Sequence, residues 1–116
     1  KNNYPKFSVW GDGSPLREFL YVDDLSLAIK FILENEIDND LINIGYGEEI
    51  SIKDLAIKIK KIIGYDGEIE FDSTEPNGNP RKLLDTSLLK NYGWKPKYEL
   101  DKGLELSFNW YKENLN

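Results

Sequence analysis

The chain has 116 residues, 40% of them hydrophobic and three of them Trp, which is enough for one folded domain with a buried core. Its 21 acidic and 15 basic side chains leave a formal charge of −6, the opposite of the basic stripe that a general nucleic-acid binder needs, so no nucleic-acid partner is expected. With no Cys and no His, disulfides, thiolate nucleophiles, Cys- or His-based metal sites and a histidine general base are excluded from these residues. Apolar runs fall short of the roughly 20 residues that span a bilayer, and no signal peptide opens the chain, so a cytoplasmic protein without a membrane partner is expected. The sequence starts at Lys1 and contains no Met, and it reads as a piece of something longer.

In chain order, Phe7–Trp10 reads as a short strand ended by Gly11-Asp-Gly13, and Glu18–Val22 as a second, aromatic strand. Asp23 or Asp24 is expected to cap a helix reaching about Asn35, whose stripe of Leu25, Ala28, Ile29 and Ile32 is widened by Leu27, Phe31 and Leu33. After an acidic turn, Leu41–Ile44 reads as a brief strand closed by Gly45-Tyr-Gly47. Ser51 and Asp54 form a shortened capping box that opens a helix over 52–63, stopped by Gly64. Its lysines form a solvated face. Glu68–Asp72 alternates as a half-buried strand, and Ser73–Pro80 is a loop. Asp85 should cap a short helix to Tyr92, and Asp101 a last one carrying Leu104, Phe108, Tyr111 and Leu115. The order of strands and helices makes the fold class α/β or α+β.

The use of arginine is uneven. Of the fifteen basic residues only Arg17 and Arg81 carry a guanidinium, and each lies in a loop rich in Gly, Pro and small polar residues. A guanidinium is a rigid fork that fits phosphate or carboxylate two bonds at a time, whereas an ammonium is a hydrated point charge. Two forks on two loops suggest an anionic ligand gripped from two sides. Chance placement of two surface arginines is the bland alternative. The neighbouring carboxylates Asp23 and Asp24 point apart on any regular element and are read as capping residues, not as an acid–base pair.

Several segments in order resemble a known family. Arg17-Glu-Phe-Leu-Tyr-Val-Asp-Asp24, Asn43-Ile-Gly-Tyr-Gly47, Gly93-Trp-Lys-Pro96, Leu100-Asp-Lys-Gly-Leu104 and Trp110-Tyr111 resemble the C-terminal motifs of the extended short-chain dehydrogenase/reductase superfamily, the NAD(P)-dependent nucleotide-sugar epimerases and dehydratases. Val9-Trp10-Gly-Asp-Gly-Ser-Pro-Leu-Arg17 and Pro80-Arg81-Lys82-Leu-Leu-Asp85 are most similar to its GDP-L-fucose synthase family, the GDP-4-keto-6-deoxy-D-mannose 3,5-epimerase-4-reductases.

This resemblance implies a C-terminal portion of a Rossmann-type enzyme: a small mixed α/β substrate-binding domain over 48–116, with residues 1–47 bordering the edge of the dinucleotide-binding sheet. The resemblance also implies NADP bound by an N-terminal domain, a GDP-sugar as ligand, a homodimeric full-length protein, and no catalytic, cofactor-binding or metal-binding residue in this chain. On this view the chain is inactive alone.

Trp10, Arg17 and Lys82 match family positions that contact the GDP-sugar. Arg17 can fork onto a diphosphate, Lys82 can add a point charge, and Trp10 can offer a flat apolar face. Core packing for Trp10, a pair with Asp23 or Glu18 for Arg17, and plain surface charge for Lys82 are the competing readings. Asn77 stands where the family motif has Asp, which keeps an acceptor but removes a charge. Arg81 either contacts phosphate or braces its loop through Asp85 or Glu75. Two other functions compete: another nucleotide-sugar epimerase or dehydratase of the superfamily, and a non-catalytic nucleotide-binding or interaction domain. A standalone domain predicts no exposed apolar face, whereas a piece of a larger enzyme predicts that the helix Asp24–Asn35 and the strand Leu41–Ile44 leave hydrophobic surface where the absent domain docks.

Overall fold

A computed structural model describes residues 5–115. Strand β1 (Lys6–Trp10) is followed by β2 (Leu16–Arg17), helix α1 (Val22–Glu34), β3 (Ile50–Ser51), α2 (Ile52–Ile63), β4 (Glu68–Asp72), β5 (Arg81–Lys82), α3 (Ser87–Asn91) and α4 (Leu100–Asn114). β1 pairs with β4 in parallel, Lys6 opposite Glu68 through Trp10 opposite Asp72. A second sheet has the order β3-β2-β5: β2 runs antiparallel to β3 and parallel to β5. The expected mixed α/β fold with parallel pairing is present, and both sheets join strands that lie far apart in the chain.

Local chemistry explains α2 well. The Ser51 hydroxyl accepts the Asp54 N–H at 3.0 Å and donates to the Asp54 carboxylate at 2.8 Å, and Gly64 takes the left-handed C-cap at φ 65°. At α1 the expected cap is overturned. Tyr21 is the N-cap residue and no side chain caps it, while Asp23 and Asp24 lie in the first turn. Asp24 is only 1% exposed, and its two oxygens accept the N–H groups of Lys97 and Tyr98 at 2.8 and 2.9 Å. It serves the backbone at Lys97 and Tyr98, just after the Gly93–Pro96 segment, rather than its own helix. Asp101 is likewise no cap: α4 begins one residue earlier, after Glu99, and Asp101 pairs with Lys58 of α2 at 2.6 Å. Asp85 is not the N-cap of α3 either: Thr86 holds that position without a side-chain cap, and Asp85 closes a turn ahead of it by accepting the Ser87 N–H at 3.0 Å.

Two expected strands are absent. Glu18–Val22 does not pair: the ladder covers only Leu16 and Arg17, and Leu20 packs instead toward the core of Ala28, Ile37, Leu89 and Trp94. Over Leu41–Ile44 the alternating pattern reports packing, since Ile42 and Ile44 rest on that core while Leu41 is 78% exposed. Asn43 there donates its side-chain amide to the Asp85 carbonyl, a contact that takes the place of a ladder. The outer side of α1 is open, with Val22, Leu25, Leu27, Ile29 and Leu33 all exposed. The apolar surface expected on this helix is uncovered in the structure.

Candidate functional site

Because β1 pairs with β4 and β2 with β5, both in parallel, the loops that join them, 11–15 and 73–80, run side by side. Ties between neighbouring residues hold them together. The Gly11 N–H donates to the Asp72 carbonyl, the Asp12 N–H to Asn77 Oδ1 and the Leu16 N–H to the Pro80 carbonyl, at 2.8–2.9 Å. Gly11 has to be glycine on two counts: its φ is +82°, and a Cβ there would stand 2.1 Å from Asn77 Oδ1. Within the loops and just after them, three Asp side chains close turns on the residue two ahead. Asp12 accepts from Ser14 N–H, Asp72 from Thr74 N–H, and Asp85 from Ser87 N–H. In each case the hydroxyl of that same residue, and then this N–H, hold the carboxyl below its ordinary pKa.

The parallel register sets Arg17 directly beside Lys82, so their side chains leave the sheet on the same face; Leu16 and Arg81, one residue earlier, leave on the other. Arg17 donates from Nη1 to the Leu16 carbonyl at 2.6 Å and from Nη2 to the Asn79 carbonyl at 2.7 Å. These contacts aim the guanidinium along the 73–80 loop without cancelling its charge. No ion pair joins Arg17 to Asp23, Glu18 or any other carboxylate among the described residues, and the Lys82 ammonium likewise has none.

Arg81 is committed elsewhere. Its Nε and Nη2 reach the two oxygens of Glu49 at 2.6 and 2.8 Å, and these bonds hold the guanidinium still more firmly protonated. The brace is Glu49, not Asp85 or Glu75. Trp10 ends β1 with its indole 68% exposed, outside the core. Asn77 lends its oxygen to the Asp12 N–H, so its amide N–H groups are what it can offer outward.

The structure therefore sets Arg17 and Lys82 side by side on β2 and β5, places Asn77 in the loop that leads into β5, leaves Trp10 exposed at the end of β1, and turns Arg81 to the opposite face. A half-open cavity of about 360 Å3 lies elsewhere, lined by Tyr46, Glu48, Thr86, Trp94 and Glu99 among others. The roles of three carboxylates escaped the sequence reading, which took Asp24 for a helix cap and offered Glu18 as a partner of Arg17. Glu18 and Glu49 anchor the cationic strands, and Asp24 anchors the segment after Trp94. The only available signal was that each is a charge set within an apolar or glycine-rich run.

These residues do not fit a dinucleotide. Trp10-Gly-Asp-Gly13 follows a strand as a phosphate loop does, but it leads into β2 rather than into a helix whose N-terminus could face a pyrophosphate. No group of three or more His, Cys, Asp or Glu among the described residues could hold a metal ion. No helix among them is long and apolar enough to cross a membrane.

A family model described as the NAD dependent epimerase/dehydratase family matches residues 1–45. The chain is 45% identical over 114 residues to Probable GDP-L-fucose synthase 1 of Oryza sativa subsp. japonica, covering 98% of this chain and 35% of that protein. It superimposes on the crystal structure of a GDP-6-OMe-4-keto-L-xylo-heptose reductase from C. jejuni with a TM-score of 0.83 and 33% identity, covering 93% of this chain and 34% of the other. Over nearly its whole length the chain is similar in sequence and fold to the extended short-chain dehydrogenase/reductase superfamily. A second structure from this superfamily, a GDP-mannoheptose C4 reductase from Campylobacter jejuni with NADP bound, matches with a TM-score of 0.80 and 33% identity over 92% of this chain and 35% of that one. The chain spans about a third of the length of these superfamily relatives.

Proposed function

We propose that this chain is the GDP-sugar-binding part of an NADPH-dependent GDP-4-keto-6-deoxy-mannose 3,5-epimerase/4-reductase that makes GDP-L-fucose. The observation that carries this reading is the pairing of Arg17 with Lys82 on one face, two cations side by side with no carboxylate to neutralise them in a chain of net charge −6. In this reading the free N–H groups of Arg17 fork onto diphosphate oxygens and Lys82 adds a point charge. Trp10 lays its ring against sugar or base, and Asn77 donates from its amide. Arg81 supports the strand through Glu49 instead of touching the ligand.

NADP, which carries the hydride in such chemistry, and the acid–base residues belong to the part of the protein outside this chain. Residues 1–47 then border the edge of the dinucleotide-binding sheet, residues 48–116 form the substrate-binding domain, and the full-length protein is a cytoplasmic homodimer. The open face of α1 is where the dinucleotide-binding domain packs. Alone, the chain binds but does not turn over; a measurable epimerase or reductase rate from it would contradict this.

Calorimetric titration of the chain with GDP, GDP-mannose and UDP-glucose tests the reading. The guanosine ligands should bind more tightly than UDP-glucose, and Arg17→Ala should weaken them by roughly one to two decades. Equal, weak binding of all three, indifferent to the substitution, would remove the site. A second reading, another nucleotide-sugar enzyme of the superfamily, is favoured by Asn77, which presents a donor where an Asp would present a charge.

A further inference from the structure

Glu18 follows Arg17 directly, where a carboxylate could neutralise both cations, yet its oxygens are spent on the backbone. Oε2 accepts the Gly47 N–H and Oε1 the Leu84 N–H, each at 2.9 Å, from donors 29 and 66 residues away in the chain. Gly45 makes the approach possible, because a Cβ there would sit 2.8 Å from Oε2 and 2.9 Å from Oε1. Leu84 lies two residues beyond Lys82, so this contact fixes where β5 leaves the sheet. Gly47 lies two residues before Glu49, the partner of Arg81. One carboxylate thus holds the exit of the lysine strand and the approach of its brace, with its charge answered by N–H dipoles rather than by Arg17 or Lys82.

We infer that Glu18 is a positioning residue of the anion site: it sets Lys82 in register with Arg17 while leaving both cations free to face a ligand. The assignment of that ligand as a GDP-sugar rests on the reading given above. Glu18→Gln keeps one acceptor oxygen but turns an amide N–H toward the second donor, so one tie is lost; Glu18→Ala loses both.

The test titrates GDP-mannose into the chain carrying Glu18→Gln or Glu18→Ala, each with Lys82 intact and with Lys82→Ala, and follows amide hydrogen exchange at Gly47 and Leu84. Glu18→Gln should weaken binding several-fold and Glu18→Ala roughly tenfold. Both losses should shrink to within about twofold once Lys82 is already Ala, because the cycle isolates the coupling. The same loss in both backgrounds would mark Glu18 as merely structural and overturn the inference. If the unmodified chain binds no GDP-mannose, the functional reading fails on its own, and exchange then decides. Faster exchange confined to Gly47, Leu84 and Lys82 in Glu18→Gln supports the positioning role; unchanged exchange there overturns it.

Discussion

Asp24 and Arg81 spend charge in opposite settings. The Asp24 carboxylate is buried and both its oxygens hold backbone N–H groups, so Asp24→Ala strands two donors as well as losing two charge-assisted bonds. A loss of about 3 kcal/mol in denaturant unfolding is expected, with Asp24→Asn in between; a loss under about 1 kcal/mol would mean that water replaces the carboxylate readily. The Arg81 side chain is largely exposed, and solvent screens its pair with Glu49. Arg81→Ala should therefore leave stability in denaturant unfolding almost unchanged. It should also weaken GDP binding less than Lys82→Ala does, and the reverse order in titration would return Arg81 to the ligand. Gly11→Ala combines a left-handed backbone with a collision against Asn77 Oδ1, and should cost about 1–3 kcal/mol while loosening the loop pair.

The three Asp-closed turns act together as small elements. Each carboxyl is held below its ordinary pKa by N–H and hydroxyl bonds that exist only in the fold. Their contribution is therefore complete above the unfolded carboxylate value of about 4, and it is lost as pH falls through the lower folded values. The loops should keep their geometry from pH 5 to 8 and loosen only in stronger acid, as read from the amide shifts of Ser14, Thr74 and Ser87. A transition near neutrality would contradict this origin.

How far the sequence could be read at this scale depends on distance along the chain. Ser51, Asp54 and Gly64 delimit α2 through contacts within a few residues, and the helix was legible for that reason. Glu18–Val22 and Leu41–Ile44 misled because an apolar alternation looks the same whether a residue packs on a helix or joins a ladder. β3 and β5, two residues each, exist only by virtue of a remote β2, and no local pattern announces them. Arg17 and Lys82 stood out as residue types, but their adjacency is a product of that hidden pairing. Glu49 as the partner of Arg81 was equally out of reach.

At the scale of the molecule, the shape is a slab of 51 × 34 × 18 Å with a radius of gyration of 16.9 Å, where a compact domain of this length would have about 13 Å. Its accessible surface of 8706 Å2 is roughly a third larger than the ~6,500 Å2 typical of a compact monomer of its mass. Part of its exposed apolar surface lies on α1, where Leu33 is 72% exposed, and on Leu41. Such a face favours self-association. Sedimentation at rising concentration should show it, and Leu33→Glu with Leu41→Glu should suppress it; a monomer indifferent to both changes would mean that the face is harmless.

The parallel pairings also bear on how the chain is made. β1 and β2 leave the ribosome well before β4 and β5, the strands that complete them, some 60 residues later. At 5–20 residues per second that interval lasts about 3–12 s, during which the two strand edges lack their parallel partners. Newborn copies of this polypeptide should accordingly depend on chaperone shelter until residue 82 has emerged, and the cationic pair can come into being only at the end of that wait.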